Sequence, residues 1–140
     1  MTGSHSKFWR SGRLLALGAI AVTANVAFAQ ANRSEFDPTP LEFAQLPPYC
    51  QGQFKPELAA ADPAYRMPEC GPRFNHFCPA LVALMRASQI SKPKHERQWA
   101  LAPARGNMKY TTDSMPASCP LAPQVQAAQI RLQILEKSLR

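Results

Sequence analysis

The chain has 140 residues, with 16 Lys and Arg against nine Asp and Glu, and a net charge of +7. This length predicts one small domain. The cations are spread along the sequence without a base-reading motif or a pattern of stacking aromatics, so we expect no nucleic-acid partner.

Residues 1–29 have the pattern of a cleavable secretory signal peptide. Lys7, Arg10 and Arg13 precede an apolar run over residues 14–24. Small residues then precede an expected cleavage site after Ala29. A membrane anchor is the alternative, but the apolar stretch is roughly 15 residues long even when counted through the breaks at Thr23 and Asn25, and about 20 apolar residues are needed to span a bilayer. We therefore expect a periplasmic or secreted protein that contacts the membrane only if the leader is retained.

The next part of the chain is rich in proline. All 14 prolines follow the leader, and eight of them lie between Pro38 and Pro72. Residues 30–45, which begin with a polar stretch lacking apolar periodicity, are predicted to be a flexible leader. Because proline removes a backbone donor and fixes φ, residues 46–72 are predicted to form an extended, turning arm with at most short helical pieces.

The first long helix is predicted at about residues 73–89, within a single helical domain that spans residues 46–140. Its apolar stripe recurs at three- and four-residue steps and consists of Phe74, Phe77, Cys78, Leu81, Leu84, Met85 and Ser88. Pro79 interrupts the pattern. Either it occupies the first helical turn and residues 74–78 form a separate turn, or it kinks a longer helix.

Two further helices are predicted at about residues 94–110 and 122–139. The first carries Trp99, Ala102, Gly106 and Tyr110 on one side, and we expect Trp99 and Tyr110, like Phe74 and Phe77, to be core aromatics. The second has Val125, Ala128, Leu132, Leu135 and Leu139 in helical register. The pattern predicts an all-α fold in which three helices pack up, down and up.

Four cysteines lie beyond the leader, where an exported chain meets an oxidising compartment. Four cysteines allow three pairings. Cys70 and Cys119 precede the first and third helices, whose starts lie together in an up-down-up arrangement. Cys78 is on the apolar face of the first helix, within reach of the arm that carries Cys50. We therefore predict the disulfides Cys50–Cys78 and Cys70–Cys119.

A soft-metal site is the alternative use of this region. His76 and Cys78, with Met85 nearby, are the ligand types that copper prefers. Residues two apart on a helix point in different directions, however, and a disulfide would consume the thiolate. We expect no cofactor, and a partly buried, hydrogen-bonded His76.

Catalysis has little support in the sequence. A Ser or Cys nucleophile needs a base held by a third group, and the chain beyond the leader has only His76 and His95. The acidic residues are scattered singly, without a pair suited to general acid and base roles. We expect that the protein is not an enzyme.

Three short segments carry a family resemblance: Leu-Pro-Pro-Tyr-Cys at residues 46–50, Phe-Asn-His-Phe-Cys at 74–78, and Leu-Val-Ala-Leu-Met-Arg-Ala at 81–87. They resemble a group of exported bacterial proteins with tetratricopeptide-like helices, in which an L-P-P-Y-C segment precedes an H-x-Y-C helix. The resemblance covers roughly residues 46–121 and supports pairing Cys50 with Cys78. It implies a helical module that binds protein.

Taken together, these features predict a non-enzymatic interaction or scaffold protein of the cell envelope. A protein or peptide partner is expected in a groove between the first two long helices and the arm. The candidate contact residues are Tyr49, Phe54, Tyr65, Arg66, Arg86 and Trp99. For Tyr49 and Trp99 the alternative is that they pin the arm to the core. The alternative function is a periplasmic copper-binding or redox accessory protein that uses His76, Cys78 and Met85.

Overall fold

The computed structural model describes residues 36–140, and these residues are helical without any strand. The six helices are α1 (Pro40–Gln45), α2 (Pro48–Phe54), α3 (Pro56–Ala61), α4 (Phe77–Ser88), α5 (Lys94–Ser114) and α6 (Ala122–Ser138). Two 3-10 turns lie at Pro63–Tyr65 and Phe74–His76. The all-α fold with three long helices is thus confirmed. The predicted signal peptide, residues 1–29, lies outside the described residues.

Proline sets the starts of the three short helices. The first turn of each short helix contains a proline: Pro40 in α1, Pro48 in α2 and Pro56 in α3. A missing backbone N–H costs nothing at this position, because it has no partner within the helix. The arm, residues 46–72, contains two short helices and a 3-10 turn, which are separated by the single residues Lys55 and Asp62.

The predicted boundary between flexible leader and domain needs a correction. Residues 40–45, which the sequence assigned to the flexible leader 30–45, form α1. Thr39 caps this helix: its hydroxyl accepts from the Glu42 N–H, and the Glu42 carboxylate accepts from the Thr39 N–H at 2.8 Å. This capping box stabilises a helix here in spite of the proline-rich composition. Residues 30–35 lie outside the described residues.

Helix α4 is the centre of the domain. Pro79 lies in its first turn, and Phe74–His76 forms the separate 3-10 turn, which is the first of the two predicted alternatives. Phe74, Phe77 and Leu84 of the predicted stripe are buried, and so are alanines on other sides of the helix. Because Ala80 and Ala87 are completely buried and small, the long neighbouring helix can approach α4 closely.

The prediction of which face of α5 is buried is wrong. Its buried residues are Leu101, Ala104, Asn107, Met108 and Thr111. Trp99 is 82% exposed and Tyr110 is 50% exposed, so neither is a core aromatic. Packing of small and aliphatic side chains against α4 decided the orientation of α5, rather than the two large aromatic rings. The helix also continues to Ser114, and the hydroxyls of Thr111, Thr112 and Ser114 in its last turn donate to carbonyls three or four residues earlier.

Helix α6 buries the face that its periodicity predicts. Val125, Ala128, Leu132 and Leu135 are buried within it, and Leu139 is buried just after its end. The helix packs against both α4 and α5. A stripe of aliphatic residues with one consistent spacing was therefore sufficient to orient this helix.

Both predicted disulfides are present. Cys50 of α2 is joined to Cys78 in the first turn of α4, with 5.3 Å between the Cα atoms. Cys70 is joined to Cys119, with 4.9 Å between the Cα atoms. Gly71 follows Cys70 with φ of +100°, and a Cβ there would collide with the carbonyl of Ser114, so the close approach beside this disulfide requires glycine. Disulfides of this kind are typical of proteins outside the reducing cytoplasm.

Within residues 36–140, no helix combines the length and the apolar character that a membrane span needs.

Candidate binding groove

A groove of about 700 Å³ lies where α4, α5 and the N-terminal segment, residues 36–45, meet. Phe36, Thr39 and Glu42 form the wall contributed by the N-terminal segment. The predicted groove also lay between the first two long helices, but its third wall was expected from the arm, residues 46–72, and no arm residue lines this groove. We call it the α4–α5 groove.

The lining of the groove is largely apolar. Helix α4 contributes Pro79, Val82 and Ala83, and α5 contributes Ala100, Ala102 and Pro103. Short side chains from both helices leave space between them. An extended segment of another molecule could therefore contact both helix surfaces at once.

Among the described residues, the groove lining has two aromatic side chains, Phe36 and Trp99, and Trp99 is the more exposed. Its side chain is 82% exposed although it belongs to a folded helix. Pro103 lies four residues later and has no N–H, so the Trp99 carbonyl lacks the backbone donor that a regular helix supplies. Trp99 thus combines a large apolar ring with an indole N–H donor and a carbonyl acceptor.

Arg86 holds in place the groove wall formed by the N-terminal segment, residues 36–45. Its Nε donates to Glu42 Oε1 at 2.9 Å, and its terminal NH2 group donates to Glu42 Oε2 at 3.1 Å and to the Asp37 carbonyl at 2.8 Å. Burial opposes ionisation of Glu42. The hydrogen bonds from Arg86 and from the Thr39 backbone, together with the Arg86 charge, outweigh this effect and lower the Glu42 pKa. We call this arrangement the Arg86 clamp.

The charged side chains of the groove are paired with one another. Arg86 pairs with Glu42, and Lys92 pairs with Glu96 at 3.2 Å. Among residues 36–140, these four are the charged members of the lining. The groove consequently has little net charge of its own.

Three of the other predicted contact residues pack elsewhere. Tyr49 is buried and donates its hydroxyl to Gln124 Oε1 at 2.5 Å, which joins the arm to α6 and confirms the pinning interpretation. Burial raises the pKa of Tyr49 to about 12. Phe54 packs partly against the core and lines a smaller cavity with Phe43. Arg66 donates to the Ala59 carbonyl within the arm.

Tyr65 has a backbone role in the arm. Its carbonyl lies so close to Gly52 that a Cβ at position 52 would collide with it. The 3-10 turn at residues 63–65 therefore packs directly on α2. Of the six predicted contact residues, the structure places Arg86 and Trp99 in the groove, where Trp99 is free of the core rather than pinned to it.

The residues of the alternative metal site are engaged in other contacts. Cys78 is oxidised, so it supplies no thiolate. His76 Nδ1 lies 2.7 Å from Asn107 Oδ1, and its ring stacks on Tyr110 with 4.8 Å between the centroids. The predicted partly buried, hydrogen-bonded state of His76 is thus confirmed. Met85 packs partly against the core. Among residues 36–140, no group of three or more His, Cys, Asp or Glu side chains is placed to hold a metal ion.

Sequence reasoning missed the N-terminal wall of the groove. Thr39 and Glu42 were placed in a flexible leader, although their three-residue spacing after Pro38 and before an apolar residue is the pattern of a capping box. The partner of Arg86 could not be read in the same way, because Glu42 lies 44 residues away in the sequence.

Comparison of the chain with known protein families, with characterised proteins and with solved structures gives no match.

Proposed function

We propose that this protein is an exported, non-enzymatic interaction or scaffold protein whose α4–α5 groove binds an extended, uncharged, apolar segment of a partner protein in the cell envelope. One observation carries the proposal: Trp99 stands 82% exposed beside an apolar groove. Large exposed aromatic rings beside concave apolar surfaces are typical of binding sites.

The size of the groove suits this partner. Ligand-binding clefts commonly measure about 300 to 1,000 Å³, and the groove measures about 700 Å³. A short peptide segment fills a cleft of this kind. An aliphatic or proline side chain of the partner that packs on the apolar residues of α4 and α5 would be removed from water, which favours binding.

The charge of the groove selects against a charged partner segment. Because Arg86 and Lys92 already pair with Glu42 and Glu96, an incoming charged side chain would be desolvated without gaining a free counter-ion. Uncharged side chains avoid this cost. The partner segment is therefore apolar, with backbone amides that can use the Trp99 indole N–H and carbonyl.

Three further observations agree with this role. The signal-peptide pattern and the two disulfides suit an exported protein. All four cysteines are oxidised, which removes thiol nucleophiles and thiolate metal ligands. The resemblance to exported proteins with tetratricopeptide-like helices also implies protein binding.

Selection of random peptides on the immobilised, oxidised protein tests the proposal. We expect enriched peptides to be apolar and uncharged, and we expect Trp99→Ala to weaken their binding at least about 10-fold, as loss of a hot-spot residue does. Trp99 fluorescence should shift to shorter wavelength when a peptide covers the ring.

Ile90→Ala is the matched control, because Ile90 is 88% exposed but lies outside the groove lining. It should leave peptide affinity unchanged. Enrichment of charged peptides, or equal effects of the two substitutions, would contradict the proposal.

A further inference from the structure

The tight turn between α4 and α5 carries an exposed apolar side chain at its tip. The Lys92 N–H donates to the Gln89 carbonyl at 2.9 Å, which places Ile90 and Ser91 at the two central positions of the turn. Such positions favour glycine, proline, asparagine, aspartate and serine, so turn formation gives no reason for an isoleucine. Among residues 36–140, Ile90 is the most exposed large apolar side chain, at 88%.

Basic side chains surround this turn. Lys92 and Lys94 are exposed and directly follow its tip. The fold adds three cations from farther along the chain. Arg97 and Arg131 donate to a carbonyl and a hydroxyl in the last turn of α4, at 2.9 and 2.8 Å. Lys94 donates to the main-chain oxygen of Arg140 at 2.5 Å, so the end of the α6 segment lies here too. We call this group the basic pole: Lys92, Lys94, Arg97, Arg131 and Arg140.

The basic pole holds the net side-chain charge of the described residues. One acidic side chain lies among its five cations, Glu96, which pairs with Lys92 at 3.2 Å. The rest of residues 36–140 contains seven Lys and Arg and seven Asp and Glu, which balance. The oxygens that accept from Arg97 and Arg131 are neutral, so these bonds leave both charges uncompensated. The positive potential is therefore concentrated at one end of the domain, where it would attract an anionic surface.

An apolar tip within a cationic surface matches the interface of an anionic membrane. A soluble anion would use the cations but would gain nothing from Ile90. A folded partner would need a pocket shaped to receive a projecting side chain, whereas the fluid boundary of a bilayer accommodates one directly. Interfacial segments bind by placing cations on anionic headgroups and apolar side chains at the acyl boundary.

We propose that this protein docks on membranes that contain anionic phospholipids through the turn between α4 and α5, with Ile90 inserted and the basic pole on the headgroups. This contact does not require a retained leader and goes beyond the binding of a partner segment. Lys92 also lines the α4–α5 groove. A docked protein would therefore hold the groove beside the membrane.

Co-sedimentation with phospholipid vesicles tests the proposal on oxidised protein purified from the cell envelope. We expect binding to vesicles of phosphatidylglycerol and phosphatidylcholine that weakens as salt is added. Binding to phosphatidylcholine alone should be at least about 10-fold weaker. Ile90→Ser should weaken binding to the anionic vesicles at least about 10-fold, because it removes the inserted apolar side chain. Ile130→Ser is the matched control, since Ile130 is 51% exposed on α6 and outside the turn. It should change binding less than about 2-fold.

Lys94→Glu tests the basic pole. It replaces a cation beside the headgroups by an anion and should weaken binding to the anionic vesicles at least about 10-fold. Lys109→Glu is its matched control, because it changes the net charge equally at a position about 22 Å farther along α5. That distance exceeds the Debye length, so binding should change less than about 3-fold.

Three results would overturn the proposal once circular dichroism and intact disulfides show that the variants are folded. The first is equal binding, or no binding, to anionic and neutral vesicles. The second is equal binding of Ile90→Ser and wild type, which would leave only an attraction that any soluble anion shares. The third is an equal effect of Lys94→Glu and Lys109→Glu, which would assign binding to net charge rather than to the basic pole.

Discussion

The N-terminal part of the domain is attached to α4 at two places by different chemistry. At the start of α4, Cys78 is bonded covalently to Cys50 of the arm. At its last turn, the Arg86 clamp holds Glu42 and the Asp37 carbonyl by hydrogen bonds and charge. The first attachment depends on the redox state of the solution and the second on its pH. The second also forms a wall of the α4–α5 groove, so groove shape depends on the weaker attachment.

Removing the covalent attachment should lower the free energy of unfolding more than neutralising the Arg86 clamp does. Cys50→Ser with Cys78→Ser opens a loop with a sequence separation of 28 residues. Loss of this closure should lower the free energy of unfolding by roughly 3 to 4 kcal/mol, measured by urea denaturation.

The second disulfide is the natural comparison for that experiment. Cys70→Ser with Cys119→Ser opens a separation of 49 residues and should cost slightly more. A loss below about 1 kcal/mol for either pair would show that the reduced chain retains structure that the chain-entropy argument ignores.

Neutralising the clamp should have a smaller effect. Glu42→Gln keeps the side-chain shape but leaves the Arg86 charge without its carboxylate, and should cost about 1 to 2 kcal/mol. Hydrogen exchange should quicken at the Phe43 N–H, which donates to the Thr39 carbonyl in α1.

Glu96→Gln separates this effect from that of an ordinary surface ion pair. The Lys92–Glu96 pair is about half exposed on both sides, so its loss should change stability by at most about 0.5 kcal/mol. Similar losses in the two variants would show that burial of Glu42 adds nothing to the clamp.

Acid should release the clamp while leaving the disulfide intact. The folded pKa of Glu42 lies below its ordinary value of 4.5, so its contribution to stability is complete above that pH. The contribution is lost as pH falls through the lowered pKa. NMR signals of α1 should change over this acidic range before those of α6. In Glu42→Gln this α1 transition should disappear, and its persistence would assign the transition to another carboxylate.

The contact between the arm and α6 should show the smallest effect. Tyr49→Phe removes the donor to Gln124 and should cost about 1 kcal/mol. Burial raises the Tyr49 pKa from 10.0 to about 12, so this stabilisation is complete below pH 10 and is lost as pH rises toward 12. Thermal denaturation of wild type and Tyr49→Phe at a series of pH values from neutral to alkaline measures the cost of the substitution and its dependence on pH.

Tyr110→Phe is the control for Tyr49→Phe. Tyr110 is half exposed and uses its ring to stack on His76, a contact that phenylalanine retains. The free energy of unfolding should change by less than about 0.5 kcal/mol. An equal loss in the two variants would contradict a specific role for the Tyr49–Gln124 bond.

Sequence reasoning named Arg86 and Trp99 of the residues that line the candidate groove. It also predicted a groove between α4 and α5, but it assigned the third wall to the arm, residues 46–72, and not to residues 36–45. The N-terminal wall was missed because prolines around Thr39 suggested flexibility, although a capping box with Glu42 stabilises a helix there. Tyr49 was recognised as a contact residue, but only the structure shows that its hydroxyl joins the arm to α6.

The sequence by itself determined the helical fold, the two disulfides and the buried face of α6. Each follows from local spacing or from the order of the helices along the chain. Only the tertiary structure decided which side of α5 is buried and which carboxylate pairs with Arg86. Helix α5 has two stripes of small and apolar residues, and close packing against the alanines of α4 favours the stripe without the bulky Trp99 ring. The Arg86–Glu42 pair joins residues 44 positions apart, a distance over which periodicity carries no information.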